Sequence, residues 1–179
     1  IERLRQLTGE AGLQWKLERA KWLLASNEYD DSVQAVTLLT EMVQRGLSKP
    51  RIHLARALEQ TGNVNTAVEH LKAASDADPR DPRPVLELAR LLRTQSKLED
   101  IRRYAVRLAR DGVLGNDDRL SVASLLVELG EPQRAVELLA AAETRGANDP
   151  ACRVLLAELY RRRGRMDDAA RLYDLLLSA

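Results

Sequence analysis

The 179-residue sequence contains no phenylalanine, one cysteine, two histidines and very few aromatic side chains. Each shortage removes a class of explanation. A lone Cys152 cannot form an internal disulfide framework or a thiolate metal cluster. His53 and His70 stand alone, with no second His or Cys at ligand spacing, so no zinc site or catalytic histidine constellation is expected. The formal net charge is +1, so no global field points to nucleic acid or to a membrane surface. No apolar run approaches the roughly 18 residues of a membrane-spanning helix. Gly112-Val113-Leu114-Gly115 lacks the Lys-Ser/Thr continuation and the strand context of a phosphate loop and reads as an inter-unit turn. No catalytic, metal-ligating or cofactor-binding group is expected, and hence no enzyme.

What is abundant is leucine, alanine and arginine, a helix-forming vocabulary poor in the residues that sheets prefer. These residues recur with a fixed period. Gly62, Gly130 and Gly164 are 68 and 34 residues apart, with Ser96 in the vacant slot. Five positions after each stand Ala67, Ile101, Ala135 and Ala169. Seven positions before stand Ala55, Ala89, Ala123 and Ala157, and four before stand Leu58, Leu92, Leu126 and Tyr160. An earlier copy fits with Ala20, Leu23, Asn27 and Ser32. Such periodicity is the signature of stacked supersecondary units.

Helix starts are expected at Ser48-Lys49-Pro50, Asp81-Pro82, Asn116-Asp117 and Asp149-Pro150, where capping oxygens and first-turn prolines belong. The glycine ends the first helix of each copy. The expected helix pairs are 13–26 and 30–45, 49–61 and 64–77, 82–94 and 98–111, 116–129 and 132–145, and 150–163 and 166–178. Asp117-Asp118 and Asp167-Asp168 suit the positive end of a helix. Arg161-Arg162-Arg163 suits the negative end of one, with a nucleic-acid patch as the alternative reading.

The slots resemble the tetratricopeptide repeat, most closely from Ser48 to Asp81, with Leu54, Ala55, Leu58, Gly62, Ala67, Leu71, Ala74 and Pro79 in register. Gly164-Arg165-Met166-Asp167-Asp168-Ala169, Tyr160 and Tyr173 fit as well. The third unit departs most, with Ser96 for Gly and Ile101 for Ala. The resemblance implies an all-α, right-handed α-solenoid of about five helix-turn-helix repeats. The units are expected near 13–47, 48–81, 82–115, 116–149 and 150–179, with 1–12 the remnant of a preceding helix. The chain is expected to be a segment of a longer protein, with uncapped ends through which it could self-associate.

The resemblance also implies a function, the holding of another protein or peptide in the concave groove lined by the first helices. Carried onto this chain, the family's contact positions give Lys21, Lys49, Ile52, Arg56, Arg83, Leu86, Arg90 and Arg93. Position nine of the last two units gives Ser124 and Glu158. Position five is apolar throughout, as Leu17, Ile52, Leu86, Leu120 and Val154. A basic wall over an apolar floor admits an anionic polymer or acidic peptide as an alternative ligand. The alternative reading is that the cations pair with Glu59, Glu87 and their neighbours and merely keep the face soluble. The Lys/Asn arrangement used by chaperone-tail-binding members is missing, so that ligand is not expected. The wording is similar to bacterial scaffold proteins of envelope secretion, pilus assembly and exopolysaccharide export, which favours a periplasmic over a cytoplasmic setting. A cytosolic regulator with its effector domain elsewhere is the third reading.

Overall fold

The structure is a computed structural model that describes residues 12–94, 97–111, 114–147 and 149–178. The expected remnant helix before Leu13, the Ser96 slot and Gly112-Val113 lie outside the described residues. The described residues form ten α-helices: α1 (Leu13–Ser26), α2 (Tyr29–Gln44), α3 (Pro50–Gln60), α4 (Val64–Ala77), α5 (Pro82–Thr94), α6 (Arg102–Asp111), α7 (Asn116–Glu128), α8 (Pro132–Thr144), α9 (Pro150–Arg162) and α10 (Met166–Leu177). No strand occurs among the described residues. The protein is an all-α helical-repeat fold of solenoid type.

The helices end within a residue of their expected bounds, with one exception. The stretch expected to open the helix at Leu98 is a 3-10 turn, Leu98–Ile101, and α6 begins only at Arg102. This is the unit in which Ile101 occupies the slot that holds alanine in its neighbours. Its larger, β-branched side chain is fully buried there.

The chain divides into two compact units between Asp78 and Pro79. The first holds α1 to α4 and the second α5 to α10. Within each unit a helix packs on the next one and on the next but one, as α1 does on α2 and α3, and α7 on α8 and α9. Such local, repeating contact is what a stack of hairpins produces.

The small residues lie where helices must approach. Ala20, Ala55, Ala89, Ala123 and Ala157 are buried to 3% exposure or less. Ala67, Ala135 and Ala169, with Ser32 and Ile101 in the equivalent slot, are buried likewise. The leucines beside them, Leu23, Leu54, Leu71, Leu88, Leu108, Leu126 and Leu139, fill the layer between the helices. Burial of each such side chain contributes roughly 1.5–3 kcal/mol. α10 leaves Met166, Tyr173, Leu175 and Leu177 exposed, and the first hairpin exposes Trp22 and Tyr29.

The glycine turns repeat a single hydrogen-bond pattern. Gly130 adopts φ +74° and donates to Val127 O, while Glu131 N donates to Leu126 O at 2.8 Å. The left-handed residue thereby satisfies carbonyls that the helix end leaves orphaned. Asn27 takes the equivalent conformation in the first unit (φ +58°), a region that Asn tolerates better than most residues. In the third repeat Lys97 N donates to Leu92 O at 3.0 Å, the bond equivalent to that from Glu131.

The caps follow the sequence only in part. Asp149 accepts from Cys152 N at 2.9 Å, and Asp81 accepts from Arg83 N at 3.0 Å. Ser48 and Asn116 do not cap with their side chains. Lys49 is the residue before α3, and Asn116 is already helical, with Gly115 before it. The acidic pairs Asp117-Asp118 and Asp167-Asp168 do sit in first turns, and Arg161-Arg162 in a last turn.

One recurrence escapes a reading confined to apolar and glycine slots. Four residues before each buried alanine of the first helix stand Lys16, Arg51, Val85, Arg119 and Arg153. Two of the four cations are buried and two half-buried. Lys16 is buried and pairs with Glu41 of α2 at 2.6 Å. Arg153 is buried and meets Glu143 of α8 through Nε at 2.9 and 3.1 Å. Arg119 donates to Leu114 O at 2.6 Å. Arg51 lies 3.2 Å from His70 Nδ1 on α4. Long aliphatic stems cover apolar surface while each charged head finds a polar partner.

Ala123→Leu should lower stability by about 1–3 kcal/mol through overpacking, read as a shift of the urea midpoint at unchanged helix content. An unshifted midpoint would mean that the helices do not depend on close approach at this slot.

Candidate functional site

The first helices carry the expected contact residues, and each unit presents its own set. In the first unit Lys21 is exposed on α1 and pairs with Glu18 at 2.8 Å. Lys49 stands exposed before α3 and Arg56 is exposed on α3. Ile52 is only 7% exposed. It is a core residue, and the apolar floor expected at position five does not include it. Its side chain turns inward because it shares the α3 stripe with Leu54, Ala55 and Leu58.

In the second unit the geometry is more informative. α5 and α7 enclose a cleft of about 360 Å3, with Leu86 and Ala89 on one side and Leu120, Ser121, Ser124 and Leu125 on the other. Arg93 and Glu128 close one end, joined by Arg93 Nη2 to Oε2 at 2.8 Å. The cleft therefore brings together Leu86 and Arg93 with Leu120 and Ser124. Arg83 and Arg90 are not part of its lining. Arg83 is held by Asp81 at 2.7 Å, and Arg90 by Glu87 of its own helix at 3.0 Å. Glu128 and Ser121 were not singled out from sequence. Glu128 follows Arg93 by 35 residues, one period plus one, which is the only sequence signal of their meeting.

Lys21, Arg83, Arg90 and Arg93 thus stand beside carboxylates. Burial raises the Asp81 carboxyl, but the hydrogen bonds and charge of Arg83 outweigh it and hold it below the usual aspartate range. Exposed pairs of this kind contribute little stability, about 0–1 kcal/mol each. They do neutralise the wall that sequence alone makes basic.

The residues examined for chemistry have ordinary structural roles. Cys152 is buried at the start of α9, and burial, followed by the Asp149 carboxylate, pushes its thiol up to about 11. A thiol held protonated at neutral pH is a poor nucleophile. Among the described residues no group of three or more His, Cys, Asp or Glu could hold a metal ion. None of the described helices is long and apolar enough to cross a membrane. Around Arg161-Arg162-Arg163, Arg162 reaches Glu158 at 3.9 Å, Arg163 donates to Gln133 of α8, and Arg165 stacks on Tyr160 at 4.2 Å.

Tetratricopeptide repeat models match residues 49–91 and 126–179, together more than half of the chain. The chain belongs to the tetratricopeptide repeat family. Solved structures share the fold. One crystal structure of MamA aligns with a TM-score of 0.64 at 13% identity, over 93% of this chain and 90% of that one. The AMB-1 MamA structure gives 0.59 at 18%, over 91% and 90%. A tetratricopeptide repeat protein from Parabacteroides merdae ATCC 43184 gives 0.57 at 16%, over 90% and 66%. At these identities the likeness concerns architecture alone. Comparison with curated protein sequences finds no match. As a tetratricopeptide repeat protein, the chain is a protein–protein interaction scaffold.

The Arg51–His70 contact ties two helices of one repeat and predicts a pH effect. Burial, then the Arg51 charge, lowers the His70 pKa from its ordinary value of 6.5. A lowered histidine pKa means that the unfolded chain takes up the proton first as pH falls. Stability should be constant above about pH 7.5 and decline as pH drops through about 6.5 towards 5. His70→Gln should flatten that segment of a melting-temperature profile. Persistence of the decline in the variant would assign it to another group.

Proposed function

We propose that this tetratricopeptide repeat chain grips a segment of a partner protein on the first helices of its second unit, in the α5–α7 cleft. The observation that carries this reading is that cleft. Leu86 and Leu120 offer half-buried apolar surface, Ser121 and Ser124 offer hydroxyls, and the Arg93–Glu128 pair supplies one donor set and one acceptor set. Apolar surface with a few polar anchors suits a peptide, whose side chains fill the floor while its backbone amides meet the polar groups. Arg83 and Arg90 of the same unit would act as rim contacts that tune association rather than dominate it, and Lys21, Lys49 and Arg56 would offer contacts of the first unit's own.

An anionic polymer is less favoured than a peptide. Lys21, Arg83, Arg90 and Arg93 each stand beside a carboxylate, so the wall carries little net charge for a polyanion to neutralise. Self-association through the exposed apolar side chains of α10 remains a separate reading, tested by light scattering. Neither the family match nor the solved neighbours supports a role in envelope secretion or polysaccharide export.

The test is a pair of charge insertions at half-buried positions, Leu86→Glu with Leu120→Glu, compared with Arg56→Glu with Arg90→Glu. Partners co-purifying from the native cells should be lost with the first pair while circular dichroism stays unchanged. Hydrogen exchange of the complex should slow in α5 and α7. Retention of every partner by the leucine variants would overturn the peptide reading. Loss confined to the arginine variants, with binding that vanishes in salt, would favour a polyanion.

A further inference from the structure

The second helices of the second unit carry a feature that the first-helix cleft does not use. α6 and α8 pack against each other, and a cleft of about 380 Å3 opens between them. Its floor is apolar, with Val106 from α6 and Leu138 and Ala141 from α8. Its rim is basic. Arg110, Arg134 and Arg145 line it against a single carboxylate, Glu137. All three arginines are exposed. Arg145 uses Nε to hold the Ala141 carbonyl at 2.9 Å, which fixes its guanidinium at the edge and leaves the terminal N–H groups as further donors. Arg134 lies 3.3 Å from Glu131, and Glu137 accepts from Gln133 at 3.0 Å.

The positive charge continues along α6. Arg103, Arg107 and Arg110 recur at helical spacing on one stripe. Arg103 and Arg107 stand over the Tyr104 ring at 4.6 and 5.4 Å. α6 contains four arginines and one acid, Asp111. The contrast with the first helices of the unit is in charge balance. The α5–α7 cleft is lined by one arginine and one glutamate, whereas this lining holds three guanidinium groups to one carboxylate, with Glu131 beside Arg134 just outside it.

We propose that the α6–α8 cleft is a second docking surface, and that its occupant is an acidic segment of a partner protein with an apolar side chain between carboxylates. The apolar residue fills the space over Val106, Leu138 and Ala141. The flanking carboxylates meet Arg110, Arg134 and Arg145, where planar guanidinium groups suit two-point recognition of carboxylate. The floor distinguishes this occupant from a nucleic acid. No aromatic side chain lines the cleft to stack a base, and aliphatic floor groups have no partner on a phosphate backbone.

The chain, uniformly labelled with nitrogen-15, would be titrated with an end-capped Glu-Glu-Leu-Glu-Glu peptide and observed by amide chemical shifts, which detect millimolar binding. Shifts should concentrate in α6 and α8, and Glu-Glu-Ser-Glu-Glu and Gln-Gln-Leu-Gln-Gln should each bind at least about tenfold more weakly. Arg134→Glu with Arg145→Glu should weaken binding by about tenfold or more, and Arg145→Gln alone should do so by less, which keeps the test readable if the double variant loses dispersion. No shift at millimolar peptide, shifts confined to other helices, equal binding of the glutamine peptide, or stronger shifts with oligothymidylate would each overturn the proposal.

Discussion

The close approach of helices at small side chains governs this molecule. A hairpin of two short amphipathic helices cannot bury both of its faces, and its stability comes from the next hairpin laid against it. That contact is only as good as the space between the axes. Alanine at one slot of the first helix, and alanine or serine at one slot of the second, lets leucines from neighbouring turns meet across a thin layer. The slots at Ala20, Ala55, Ala89, Ala123 and Ala157 are buried without exception. Where the second-helix slot holds Ile101, the local backbone is a 3-10 turn rather than the opening of an α-helix.

Close packing imposes a second demand, the satisfaction of polar groups that end up inside. Helix ends are closed by left-handed residues whose neighbours donate back into the preceding turn. Ser32, fully buried in an alanine slot, shares its one hydroxyl proton between Glu28 O at 2.9 Å and Gln60 Oε1 at 2.8 Å. Gln60 in turn donates to Asn27 Oδ1 at 2.9 Å, so the turn of the first hairpin is tied to the helix of the second. The cations that precede the buried alanines serve the same end. Lys16 and Arg153 lie under the surface because Glu41 and Glu143 on adjacent second helices meet them there. None of the buried side-chain nitrogen and oxygen atoms among the described residues lacks a hydrogen-bond partner.

With the interior of the described residues occupied by repeat packing, the candidate sites lie at the surface. The two helix layers of the second unit offer different ones. The first-helix cleft presents apolar side chains and hydroxyls with a single arginine–glutamate pair. The second-helix layer presents an arginine rim around an apolar floor. A scaffold with two chemically distinct faces can hold two segments at once, and linked engagement of that kind raises avidity without any new contact type.

Much of this was legible in the sequence, because its cause is local and periodic. The helix limits follow from prolines, glycines and apolar stripes that each turn enforces by itself, and the recurrence of alanine revealed the stacking. The sequence could also have revealed the cation slot, since Lys16, Arg51, Arg119 and Arg153 share one position in the repeat. The fate of each charge was not legible. A basic row read along the first helices is in fact largely paired, with Arg93 joined to Glu128 across two helices. Ile52, which shares a repeat position with the half-buried Leu86 and Leu120, turns into the core. The capping roles of Ser48 and Asn116 dissolved once the helix starts were set. Sequence by itself determined the repeat, its helices and its buried small residues, because those depend on steric rules within one or two turns. Tertiary structure alone decided which charges are matched and where clefts open, because both depend on which side chains of different helices lie within a few ångströms of one another.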